Sequence, residues 1–116
     1  MKKFMAIYLG SASGLEKWKT IDEAERKQRE KTGKEAWGNW AAANQEAIVD
    51  PGSPLGKTKR VSVQGISDIK NEMAAYTIVQ AESHEAAARL FEKHPHFTLF
   101  PGDSVEIMEC LPMPEM

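Results

Sequence analysis

The chain has 116 residues, the size of one ordinary domain. Hydrophobic residues make up 41% and charged residues 28%, which excludes a disordered or fibrous chain and fits a soluble globular one. The net charge of −2 gives no electrostatic reason to expect nucleic acid or an anionic membrane as partner, and the single cysteine, Cys110, excludes an internal disulfide and a cysteine-built zinc site.

Lys2 and Lys3 precede an apolar run, Phe4 to Leu9. It is shorter than the roughly 7–15 residues of a signal-peptide core or the roughly 20 of a membrane span, so the expected location is the cytoplasm. The run reads as a buried strand ended by a Gly10–Gly14 loop. Thr20 with Glu23 has the form of a capping box and predicts a helix from about Ile21. The stretch from Asp22 to Lys31 is charged and solvated, and Gly33 interrupts it. Beyond it Trp37, Trp40, Ala41 and Ile48 form an apolar stripe at helical spacing. One long helix, or two joined near Gly33, accounts for the whole segment.

The segment from Asp50 to Gly56, with two prolines and two glycines, reads as loop. Thr58–Gln64 alternates apolar with polar and is taken as the second strand, with Gly65–Glu72 a polar connection. Ala75–Ala81 has the strongest β-branched and aromatic character of any segment. Ser83 stands where an N-cap should, ahead of a short helix with Ala86, Ala87, Leu90 and Phe91 on its apolar face, ended by Pro95. Pro101-Gly102 is a turn, Ser104–Cys110 the last strand, and Leu111–Met116 an irregular tail. The order is β-α-β-β-α-β, a ferredoxin-like α+β domain with a four-stranded antiparallel sheet.

Two helices cover only one face of such a sheet, and a face left to water should alternate polar with apolar. The first strand does not: Phe4, Ala6 and Tyr8 lie on one face, Met5, Ile7 and Leu9 on the other. In the third, Tyr76 and Ile78 stand opposite Thr77 and Val79. A symmetric homodimer burying sheet against sheet is therefore expected; a fold-over by the tail or by the 65–74 connection is the competing arrangement.

Lys3-Phe4-Met5, Asp50-Pro51-Gly52 running into Pro54-Leu55-Gly56-Lys57-Thr58-Lys59, Tyr76 through Ser83, His94-Pro95-His96-Phe97 and Val105-Glu106-Ile107-Met108-Glu109 together make a set that resembles the YCII-related family, which includes proteins named for a DGPF motif. The resemblance spans nearly the whole chain. It implies one domain over residues 1–116 and a dimeric α+β barrel of two ferredoxin-like subunits. Some members of the wider family are lactone-processing or dehalogenating enzymes, and a His–Asp pair has been proposed as catalytic in part of it. That histidine lies early in the family's chains, whereas the first here is His84, and the loop reads Asp50-Pro51-Gly52 rather than Asp-Gly-Pro-Phe. The pair is not carried over.

Among the residues themselves, Gly56-Lys57-Thr58 is no P-loop: too few residues separate it from Gly52, and a strand pattern rather than a helix follows. Lys57 and Lys59 share a strand face and are candidates for holding a carboxylate or phosphate; the plain reading is a solvated strand edge guarded by lysines. His94 and His96 are candidate acid–base residues near neutral pH, or else structural residues, with His94 acting as a cation at a helix C-terminus. The two rings could also bind a metal, but a third ligand is needed and only Asp50, Asp103 or Glu106, all distant in sequence, could supply one; the expectation is no metal and no other cofactor. Asp50 is a turn former or a base partner for a histidine. Trp37 and Trp40 are core residues, or one of them lines a cavity between helix and sheet, and Tyr76 is a candidate for holding a substrate. Glu106 and Glu109 fall on opposite strand faces, so one of them meets the interface or a pocket. The functional expectation is a cofactor-independent enzyme using His94, His96 or Asp50 on a small organic acid held by Lys57, Lys59, Trp40, Tyr76 or Glu106. The alternative is a non-enzymatic binding or interaction module working as a homodimer.

Overall fold

Alternation along the two central strands sets the layers. Strand β1 (Lys2–Leu9) turns Phe4, Ala6 and Tyr8 inward, all fully buried, and leaves Met5, Ile7 and Leu9 half-buried on the other face. β5 (Met73–Ala81) does the same with Ala75, Thr77, Val79 and Ala81 against Tyr76, Ile78 and Gln80. The two pair antiparallel along their length, Phe4 opposite Val79 and Tyr8 opposite Ala75. β2 (Ile48–Pro54) flanks β5 and β6 (Ser104–Glu109) flanks β1, giving the order β2-β5-β1-β6, all antiparallel. This is the expected ferredoxin-like α+β sheet. The computed structural model describes residues 1–114, without the side chains of Leu15 and Thr98. The tail from Leu111 carries no regular element as far as Pro114, and Glu115 and Met116 lie outside the described residues.

The helices cover the inward face. α1 (Ala12–Thr20) occupies part of what the sequence reads as loop: Ser11 caps it, its hydroxyl accepting the Gly14 N–H at 3.1 Å. The capping box at Thr20 does not form. Thr20 closes α1, its hydroxyl donating to the Lys17 carbonyl, and α2 (Glu23–Ala43) starts after Asp22. α2 runs unbroken through Gly33, because that residue is buried under Phe100: a Cβ there would stand 2.5 Å from the ring's Cζ. A glycine that reads as a helix break is a packing contact. α3 (His84–Arg89) has the predicted cap, the Ser83 hydroxyl accepting the Ala86 N–H. A separate turn, α4 (Pro95–Thr98), follows it.

The second sheet strand differs from the sequence reading. Thr58–Ser62 is a strand, β3, but it pairs with β4 (Gly65–Ile69) in a separate two-stranded hairpin. The polar connection is therefore half of a hairpin. The place in the main sheet is taken by β2, the segment whose prolines and glycines read as loop. Edge position makes this possible, since Pro51 and Pro54 need no N–H partner on the solvent side. Gly52 has φ +74°, a left-handed conformation that shifts the register against β5 between Asp50 and Ser53.

Among the described residues no helix is long and apolar enough to cross a membrane. The core holds Phe4, Tyr8, Val79, Ala87 and Phe91, with Trp37, Trp40, Ile48, Leu90, Val105 and Ile107 packed around it.

Candidate functional site

Among the described residues, three polar side chains sit in that core: Thr77, His94 and His96. A buried polar group needs a partner, and these find theirs in one chain of hydrogen bonds. His94 precedes Pro95 and caps α4, its Nδ1 accepting the His96 backbone N–H at 3.0 Å. That bond fixes the neutral tautomer: Nδ1 bears the lone pair and Nε2 the proton. Nε2 therefore donates to the Tyr8 hydroxyl, at a long 3.4 Å. The Tyr8 hydroxyl donates to Thr77 Oγ1 at 2.9 Å, and Thr77 donates to the Pro51 carbonyl at 3.1 Å. The order of donors is set from both ends, by a backbone N–H at one and a carbonyl at the other.

His94 thus works at a helix N-terminus, not as a cation at a C-terminus as its position after α3 suggests. A proton on Nδ1 would destroy the cap. The surroundings agree, since the Trp37 and Trp40 rings lie 4.2 and 4.5 Å from its centroid. Burial, helped by the neighbouring His96, pulls the His94 pKa down to about 3, and burial pushes that of Tyr8 up to about 12, the Thr77 hydrogen bond opposing in part. Both groups are neutral throughout the physiological range. Replacing Tyr8 by Phe removes the hydroxyl that links His94 to the buried Thr77 and is expected to cost about 1–3 kcal/mol, measurable as a lower urea midpoint at pH 7. An unchanged midpoint would mean the chain of bonds contributes nothing net.

One link further, His96 donates from Nε2 to the Leu9 carbonyl at 2.8 Å. Its neutral form therefore carries its lone pair on Nδ1. Burial lowers its pKa as well, while the Leu9 carbonyl, the Asp103 charge and a backbone contact with Ser104 pull the other way. Asp103 acts on it through space; its own carboxylate accepts the Ser11 N–H at 2.8 Å, and its contacts with Ser11 hold its pKa below the ordinary value.

His96 lines a cavity of about 480 Å³. One wall is α2, through Lys34, Trp37 and Gly38; the other is the β2–β5 edge, through Pro51 to Pro54 and Ala74 to Tyr76; Phe100 closes it beside His96. Its character is apolar and aromatic, with Lys34 as the cation in the lining. A cavity of this volume matches a small-molecule pocket. The buried chain of bonds reaches both sides of it. At one end it holds the His96 backbone, at the other the Pro51 carbonyl.

Of the residues singled out from sequence, Trp37, Tyr76 and His96 line this cavity. Asp50 adjoins it, its carboxylate accepting the Gly52 N–H at 2.8 Å in the turn expected of it, which shapes the wall. His94 lies behind His96 in the core. Trp40 packs on Phe91 and His94 and donates its indole N–H to the Leu90 carbonyl at 2.7 Å. Lys57 and Lys59 border a different concavity at the base of the hairpin, and Lys59 is paired with Asp68 at 2.7 Å. Glu106 is exposed on the open sheet face, opposite Ile7. Lys34, Phe100, Tyr8 and Thr77 were not singled out. Lys34 had a signal, one helical turn before Trp37 on the tryptophan stripe. The other three are brought in by tertiary contacts alone.

No family model matches the chain, and no curated protein matches it. Among solved structures, it is similar to the 5-chloro-2-hydroxyhydroquinone dehydrochlorinase TftG from Burkholderia phenoliruptrix AC1100, solved as its complex with 2,5-dihydroxybenzoquinone. The TM-score is 0.55 at 14% identity, over 91% of this chain and 90% of that one. At that identity the likeness shows the α+β fold.

Proposed function

We propose that this protein handles a small, flat, anionic organic molecule in the cavity between α2 and the β2–β5 edge. The observation that carries the reading is the lining itself: aromatic walls, one ammonium at Lys34, and one buried neutral imidazole at His96. Aromatic walls suit a ring, the ammonium suits its carboxylate or phenolate, and a neutral imidazole accepts a proton. A bound anion next to His96 favours the imidazolium and so offsets the lowering by burial. The chemistry is proton transfer without a cofactor. That a protein of the same fold takes a dihydroxybenzoquinone supports a ligand of this size.

The second reading is a binding module without turnover, and one observation favours it. His96 is oriented by a carbonyl, and the Asp103 carboxylate acts on it only through space, so no carboxylate holds the ring by a hydrogen bond as a base would be held.

Titration calorimetry with 2,5-dihydroxybenzoquinone and a panel of small aromatic acids tests both. Saturable binding is expected, weakened about tenfold or more in Lys34→Ala, the loss of one charge-assisted contact. Conversion of the bound compound by the native protein but not by His96→Asn identifies the enzyme; recovery of every ligand unchanged identifies the module. Failure of all of them to bind would sink both.

We further propose that the protein is a two-fold homodimer joined through the open sheet face. Met5, Ile7, Leu9, Tyr76, Ile78 and Met108 form an apolar surface there that no helix among the described residues covers. Sedimentation should show a dimer, and a monomer at micromolar concentration rejects this.

A further inference from the structure

The hairpin β3–β4 stands away from the rest of the chain. Its strands pair with each other and scarcely touch another element. The radius of gyration is 16.2 Å, against about 13 Å for a compact chain of this length. A lone two-stranded hairpin is marginal in water and needs something to pack on. Its tip is also apolar where water should favour the opposite: Val61 and Ile66 face each other across the ladder at 75% and 71% exposure, and Val63 in the turn is fully exposed.

We propose that this hairpin is a clasp: in the homodimer proposed above, on which the inference rests, the arm of each protomer reaches past the sheet-to-sheet contact and closes on the border of the open sheet face of a second copy of the same chain. Charge decides the occupant. Residues 56–71 contain Lys57, Lys59, Arg60 and Lys70 against Asp68 alone, in a chain whose net charge is −2, so the negative surplus lies on the rest of the molecule. The open face carries part of it: Glu106 stands exposed among Ile7, Met108 and Tyr76, and Asp50, paired with Ile78, lies on the same side, against the single cation of β1 there, Lys3. A cationic arm with an apolar tip and an apolar face with an acidic border complement each other, and two-fold symmetry makes the contact twice. The prolines and the Gly52 bend at the end of β2, which carry the chain out of the main sheet, set the arm's departure from its own protomer.

The test is sedimentation of the full chain and of Val61→Asp/Ile66→Asp. Both positions are exposed, so the protomer keeps its fold, which far-UV circular dichroism checks. The clasp requires a native dimer whose Kd rises about 100-fold in the double variant and also rises with salt. It also requires hydrogen exchange at the arm to slow as protein concentration rises. A native dimer with an unchanged Kd in the variant overturns the clasp and leaves the sheet-to-sheet dimer standing. A native monomer overturns both.

Discussion

Lowering the pH from about 7 to about 4.5 is expected to remove about 2.5 kcal/mol of folding stability through His94 alone. Unfolded, the ring titrates near its ordinary 6.5; folded, burial holds it down to about 3. Between those values the unfolded chain binds a proton that the folded chain refuses, so stability is complete above about 6.5 and falls steadily as the pH drops toward 3. His96, shifted in the same direction, adds to the slope. Urea unfolding at a series of pH values measures it. His94→Asn offers an oxygen as an alternative cap but has nothing to protonate, so its profile should lose the His94 share of the slope while being less stable at neutral pH. An equal slope in the variant would place the acid sensitivity elsewhere.

The second large effect is at Gly52. Alanine there is expected to cost more than about 3 kcal/mol, a size reserved for a backbone that must move. A left-handed φ of +74° already penalises any side chain by about 1–2 kcal/mol. The larger problem is space: the new Cβ would overlap the Tyr76 carbonyl of the neighbouring strand. β2 must then leave β5 over residues 51–53, which breaks the Thr77–Pro51 bond and opens the cavity wall. Thermal unfolding should therefore fall together with ligand binding. Gly38→Ala is the contrast, because a Cβ at that helical position meets nothing within 4 Å and should add up to about 1 kcal/mol. Similar melting shifts for the two would show that β2 is not locked as described.

These two residues also show how far the sequence could be read. β1, β5, β6, the Trp37, Trp40 and Ala41 part of the α2 stripe and the Ser83 cap are local patterns, and all are present, whereas Ile48, read onto the same helix, opens β2 beyond the helix end at Ala43. The failures came where a residue's meaning depends on distant neighbours. Gly33 looks like a break until Phe100 is placed on it, and the 50–54 segment looks like loop until it lies at the edge of β5. His94 reads as a C-terminal cation because α3 precedes it, but the turn it caps is four residues long and carries no periodic signal. The cavity was half legible. His96, Tyr76 and the Asp50 turn come from types and spacing, while the order of donors through Tyr8 and Thr77 spans 86 residues of sequence between Tyr8 and His94.

The two edges of the main sheet are chemically unlike. On β2, two of seven residues are prolines with no N–H to offer, and the Gly52 bend breaks the ladder between them. β6 keeps a regular backbone but places Glu106 and Glu109 along it. Growth by adding strand to strand would need a receptive border at both ends of every molecule. Here one border cannot continue a ladder, so edgewise stacking of copies stops after a single join. A small protein with a greasy sheet thereby carries an obstacle to edgewise growth of its main sheet.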